Sequence, residues 1–138
     1  NSGNIQIESQ ESNGVVVLEN STGSNTGNII ISGEKSLGVY NTGTFSMTSG
    51  VVEANGNQSI GVYSEAGNNN TNLNGGIIKS SNNGISLFTG DNSTININGA
   101  SLEANDKGLL MYTYKDATAA TSTGHINITG TANATINS

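Results

Sequence analysis

Five short blocks of this chain join a glycine to an apolar residue: Gly14-Val15-Val16, Gly38-Val39-Tyr40, Gly61-Val62-Tyr63, Gly84-Ile85-Ser86 and Gly108-Leu109-Leu110. The glycines lie 24, 23, 23 and 24 residues apart. A unit this short cannot bury an apolar face alone, so a chain built this way must stack its copies into a solenoid. Two further apolar columns recur within each period. One aligns Ile5/Ile7, Ile29/Ile31, Val52/Ala54, Ile78/Ser80, Leu102/Ala104 and Ala132/Ala134. The other aligns Phe45/Met47, Leu73/Gly75, Ile95/Ile97 and Ile126/Ile128. Members of a pair are two apart and so share one side of a strand. The glycine blocks supply a third column, with Val15, Val39, Val62, Ile85 and Leu109 facing inward.

Three short strands per period predict an all-β fold, a right-handed parallel β-helix of about six turns of 23–24 residues over 1–138. Each strand pairs with its copy in the next turn at about 4.8 Å. An antiparallel sandwich would need hairpin signals every 8–12 residues or so. Right-handedness follows from the ~98% preference of parallel crossover connections. The chain starts and stops mid-pattern, and 1–138 is expected to be one segment of a longer solenoid. Two stretches overrun the period, Glu65–Asn70 and Thr113–Thr123. They are expected to project as loops, functional or merely tolerated.

Composition enters where it excludes partners. Hydrophobic residues make up 33% of the chain and charged residues 10%. Low hydrophobicity alone would suit a disordered tract, but disorder usually adds high charge or proline. Here proline is absent and the apolar residues are phased. The net charge is −6, with four lysines and no arginine. That offers no basic stripe to neutralise nucleic-acid phosphates, and no polybasic patch for an anionic bilayer. No apolar run approaches the roughly 20 residues that span a membrane, so direct membrane insertion of this segment is not expected. The lack of cysteine fits an exported bacterial protein that folds without disulfides, and fits many cytosolic proteins as well.

Enzymatic chemistry finds little footing. His125 is the only histidine, with no second histidine or cysteine to form a metal or nucleophile set. Asp91, Asp106 and Asp116 are scattered. No catalytic residue, metal site or cofactor is expected. Glu53, Lys79 and Glu103 occupy one column and alternate in sign, an exposed charge ladder worth little energetically. Asn55, Asn82 and Asn105 close the first column on successive turns and could bond along the axis. The one hint of a binding surface is aromatic. Tyr40 and Tyr63 follow the inward valines, point outward and stack, with Phe88 and Tyr112 in the same column two residues further along. Val16 and Leu110 extend the stripe. It can serve a partner, packing against another segment, or plain strand stabilisation.

The blocks Glu-Lys-Ser-Leu-Gly-Val-Tyr-Asn (34–41), Gly-Thr-Phe-Ser-Met-Thr-Ser-Gly-Val-Val-Glu-Ala-Asn (43–55) and Gln-Ser-Ile-Gly-Val-Tyr-Ser (58–64) resemble passenger regions of large type V autotransporter adhesins, closest to those of fusobacterial type. The resemblance spans nearly the whole chain through degenerate motifs. It implies secretion, display on the bacterial cell surface through an outer-membrane barrel that this chain lacks, and adhesion to a host or bacterial surface protein or glycan. Two other readings are a carbohydrate-active or carbohydrate-binding β-helix of lyase or tail-spike type, and an ice-binding solenoid. The last needs a flat threonine face, and the threonines fall in corners as often as in strands.

Overall fold

In the computed structural model, residues 1–113, 124–130 and 133–137 are described. Among them every regular element is a strand. The first turn holds β1 (Asn4–Ile7), β2 (Asn13–Val17) and β3 (Thr22–Asn25). The second holds β4 (Asn28–Ile31), β5 (Leu37–Asn41) and β6 (Thr44–Met47). The third holds β7 (Val51–Ala54), β8 (Ile60–Ser64) and β9 (Asn70–Leu73), and the fourth β10 (Ile77–Ser80), β11 (Ile85–Thr89) and β12 (Thr94–Ile97). The fifth holds β13 (Ser101–Asn105), β14 (Leu109–Thr113) and β15 (His125–Ile128), and β16 (Asn133–Asn137) opens a sixth.

Every third strand pairs in parallel with the next, giving three sheets ordered β1-β4-β7-β10-β13-β16, β2-β5-β8-β11-β14 and β3-β6-β9-β12-β15. The chain is therefore a parallel β-solenoid with three strands per turn. The described residues close five turns rather than six.

The core fills the space between the sheets with stacked rows of side chains. From the first sheet, Ile29, Val52, Ile78 and Leu102 form one buried row, continued by Ile31 and Ala54 in the next. Val39, Val62 and Leu87 come from the second sheet, and Phe45, Met47, Leu73, Ile95 and Ile97 from the third. Each fully buried aliphatic side chain contributes roughly 1.5–3 kcal/mol. The period-two pairs read from the sequence supply these rows directly.

The glycine column is the first correction. In β5 and β8 the strand bends at the glycine, so that Gly38 and Val39, or Gly61 and Val62, both face inward while Tyr40 and Tyr63 face out. A Cβ on Gly38 would sit 2.5 Å from the carbonyl oxygen of Gly61 and 2.8 Å from Ile31 Cδ1, so on this turn a side chain at the bend would displace its neighbours. Register carries Val39 to Val62 and then to Leu87 and Met111, not to Ile85 and Leu109. Ser86 and Leu110 take the bend position, Ile85 is half-buried, and Leu109 is 51% exposed. Leu110 packs against the core instead of extending the outer stripe.

Corner lengths explain the slip. The connection 65–69 has three residues more than 42–43, and 81–84 has one fewer than 55–59. Val62 to Leu87 therefore spans 25 residues, against 23 from Val39 to Val62. Gly84, which keeps the 23-residue spacing, arrives two residues early and lands in a corner.

Two other alignments shift by the same amount. Leu73 pairs with Met47 and Ile97, and Thr71 takes the row of Phe45 and Ile95. Ala134 pairs with Leu102 and Ile136 with Ala104, while Ala132 lies outside the described residues.

Candidate functional site

Parallel in-register pairing places like residues over like, and on the outer face of the second sheet this builds an aromatic ladder. Tyr40 pairs with Tyr63, Tyr63 with Phe88 and Phe88 with Tyr112. Ring centroids are 5.7, 4.8 and 5.3 Å apart and interplanar angles are 9°, 23° and 29°, so all three contacts are stacked. The structure thus brings the four aromatic residues singled out in the sequence into one strict column, with no two-residue offset. Val16 pairs with Tyr40 at the first turn and is 50% exposed.

Stacking limits what the ladder can bind. Tyr63 and Phe88 each have a ring on both sides, so their faces are occupied and their edges point to solvent. A sugar that stacks on an aromatic face has no open face there. Each contact contributes about 0.5–1.5 kcal/mol to strand pairing. At the last rung, Tyr112 is 48% exposed.

Sequence reasoning did not foresee the role of Glu65. It opens the long connection 65–69, and its carboxylate accepts from Tyr40 Oη at 3.1 Å and Tyr63 Oη at 3.3 Å. Burial first, then the hydrogen bond and the charge of Glu65, holds the Tyr40 phenol above its ordinary value. The signal was the overrun at 65–70, which marked the loop but not the target of its first side chain.

The same corner forms a groove. Connections 18–21, 42–43 and 65–69 lie on successive turns, four, two and five residues long. The short middle one is recessed between its neighbours. Gly43 makes this possible, because a Cβ there would collide with the carbonyl oxygens of Leu18 and Ser21. The resulting notch has a volume of about 410 Å³. Thr42 and Thr44 form its floor, Glu19, Asn20 and Thr22 one wall, and Asn68 the other. A flanking space of about 370 Å³ shares Glu19, Thr42 and Asn68.

Beneath the notch the interior is polar. Asn41 Nδ2 donates to Thr71 Oγ1 at 2.9 Å and to the Asn70 carbonyl at 3.0 Å, and Asn41 Oδ1 accepts from Gly43 N. Ser64 Oγ donates to Asn69 Oδ1, and Asn69 Nδ2 donates to the Glu65 carbonyl. All five side chains that make this network (Asn41, Ser64, Asn69, Thr71 and the neighbouring Ser93) are buried. They fix the backbone of the corner from inside.

The remaining candidate residues fall apart in space. His125 is exposed on β15. Asp106 sits in a turn with positive φ, and Asp116 lies outside the described residues, as does most of the second overrun, at 114–123. Among the described residues no group of three His, Cys, Asp or Glu side chains could hold a metal ion. No helix among them is long and apolar enough to cross a membrane.

Lys79 pairs with both Glu53 and Glu103, and its ammonium is 3.7 Å from Glu103. The asparagine column is corrected. Ser81, not Asn82, aligns with Asn55 and donates to its Oδ1 at 2.7 Å. Asn82 Nδ2 reaches the Asn55 carbonyl instead, at 3.3 Å. Side-chain amides bond to one another along the axis elsewhere: Asn28 to Asn4 at 3.1 Å, Asn83 to Asn57 at 3.3 Å, and Asn127 to Asn96 to Asn72 at 3.0 Å each, the last three on the outer face of the third sheet.

Comparison with protein-family models, with curated proteins and with solved structures gives no match to this chain.

Proposed function

We propose that this chain is a structural and adhesive segment of a secreted, surface-displayed rod, in the manner of the autotransporter passengers whose repeats it resembles, and that it takes part in cell–cell or host attachment. The observation that carries this reading is the construction itself. One unit is stacked turn on turn, its core is continuous from turn to turn, and its corners absorb changes in length while the strands stay paired. Such a body extends by adding turns and presents side chains along its length. The exposed rung at Tyr112 and the notch at Thr42 are the places where it departs from plain repetition.

A carbohydrate-active β-helix is the second reading, favoured by the notch alone. Its lining holds one carboxylate, Glu19. Glycoside cleavage by the usual route needs two, about 5–9.5 Å apart. The notch therefore supports binding over cleavage.

The test is adhesion of beads coated with the folded chain to epithelial cells and to bacteria, compared with beads carrying an unrelated β-solenoid. Binding above that control is the expected result. Equal binding by a chain whose circular dichroism shows intact β-structure would leave it a spacer and overturn the adhesive half of the reading.

A further inference from the structure

We infer that the notch over Thr42 is a binding site for a saccharide without acidic groups, neutral or amine-bearing. The inference deepens the adhesive reading and rests on it for its biological setting, although the site stands on its own geometry.

Shape is the first support. A volume of about 410 Å³ lies within the range of roughly 300–1,000 Å³ usual for small-molecule sites. The notch is produced by corner lengths, not by a missing side chain, so repacking cannot close it. The buried network of Asn41, Thr71, Ser64 and Asn69 holds its floor and far wall from within. A site supported in this way is formed before the ligand arrives, which lowers the entropic cost of binding.

Lining chemistry is the second. Ligand pockets are usually apolar with a few polar groups. Here polar groups make up about half of the lining: hydroxyls of Thr22, Thr42 and Thr44, amides of Asn20 and Asn68, and the carboxylate of Glu19. Amides and carboxylates present paired acceptors or donors that match adjacent sugar hydroxyls, and threonine methyls give small apolar contacts to ring carbons. Thr42 Oγ1 donates to the Val17 carbonyl at 3.1 Å, which leaves its oxygen free to accept.

Charge is the third. The lining contains no lysine and the chain carries −6 overall. An acidic sugar would meet Glu19 with no cation to offset it. An amino group would meet a carboxylate. The aromatic ladder does not compete as the sugar site, because its inner rings have no free face.

The experiment is an NMR titration of the whole chain with three probes: the glucosamine disaccharide, its N-acetylated form and sialyllactose. Expected are shift changes in the amides of residues 19–22, 42–44 and 66–68, strongest with the amino disaccharide and absent with sialyllactose. Glu19→Gln should weaken the amino disaccharide roughly two- to fivefold, as for an exposed charge pair, and leave the N-acetylated form nearly unchanged. Inserting two serines between Thr42 and Gly43 should fill the notch and abolish binding of both. Corner insertions leave a solenoid core intact, and the unchanged remainder of the spectrum checks this.

Unmoved amides at saturating sugar would overturn the inference. So would shifts that map to the ladder, or undiminished binding by the filled-notch variant. Cell adhesion that survives filling the notch would remove this site from the adhesive surface and keep the adhesive reading. Sugar binding at the notch without cell adhesion would do the reverse.

Discussion

The first sheet and the corner joining the second sheet to the third solve the same stacking problem in opposite ways. In the first sheet, the inward row Ile29, Val52, Ile78 and Leu102 is apolar, and its connections from the third sheet are two residues at 26–27 and three at 48–50, 74–76 and 98–100. At the other corner, the inward row starts at Val17 and turns polar at Asn41, Ser64 and Thr89, and the connections 18–21, 42–43, 65–69 and 90–93 vary from two residues to five. Constant length lets each backbone group find its partner in the turn above, so side chains are free to be apolar. Variable length breaks that repetition and leaves buried backbone groups that side chains must satisfy. At this corner side chains do so: Asn41 binds the Asn70 carbonyl and the Gly43 amide, and Asn69 binds the Glu65 carbonyl. The surface notch and the buried polar network have one origin.

Truncation in the apolar sheet should give the largest effect. Ile78→Ala removes a fully buried side chain between Val52 and Leu102 and should cost about 2–5 kcal/mol by urea unfolding. A loss no larger than that of a surface variant would erase the contrast between the two regions.

At the polar corner the sign should depend on the partner. Thr71→Val keeps the shape but removes the acceptor of Asn41 Nδ2, and a loss of about 1–3 kcal/mol is expected. Thr89 Oγ1, in contrast, is buried without a hydrogen-bond partner among the described residues. Thr89→Val should therefore stabilise by about 1 kcal/mol. Two threonine-to-valine exchanges one turn apart would then act in opposite directions. The same sign for both would mean that the network around Asn41 does not hold the corner.

The smallest effect concerns Glu65, which ties the corner to the ladder. The Tyr40 phenol is held above its ordinary value near 10 by burial, by its bond to Glu65 and by that charge. A raised folded value means that the folded state keeps the proton longer than the unfolded chain. Its contribution is present in full below pH 10 and is lost as pH rises through the folded value. Glu65→Gln should bring the Tyr40 titration, followed by phenolate absorbance, closer to 10 and lessen the alkaline fall in stability. An unchanged titration would show that burial alone sets it.

Much of the architecture was legible because a parallel solenoid writes its pairing into the sequence. Pairs such as Ile29/Ile31, Ile95/Ile97 and Phe45/Met47 alternate within a strand and recur from turn to turn, and they occupy the core as their spacing implies. The aromatic column was legible for the same reason. The glycine column was misleading because regular spacing in sequence equals regular position in space only when every corner has the same length. The sequence could mark the overrun at 65–70. It could not say that the overrun would offset Gly84 and Gly108 by two residues, or that Glu65 would reach two tyrosine hydroxyls.

The residues by themselves therefore determined the repeat, the strand content and the rows that fill the core, since burial of apolar side chains acts locally and leaves a period behind it. Only the tertiary structure decided the register between turns, the close approach at Gly38, and the notch walled by Glu19 and Asn68. Those depend on backbone groups brought together across a whole turn, where a difference of two or three residues in one corner changes which atoms meet.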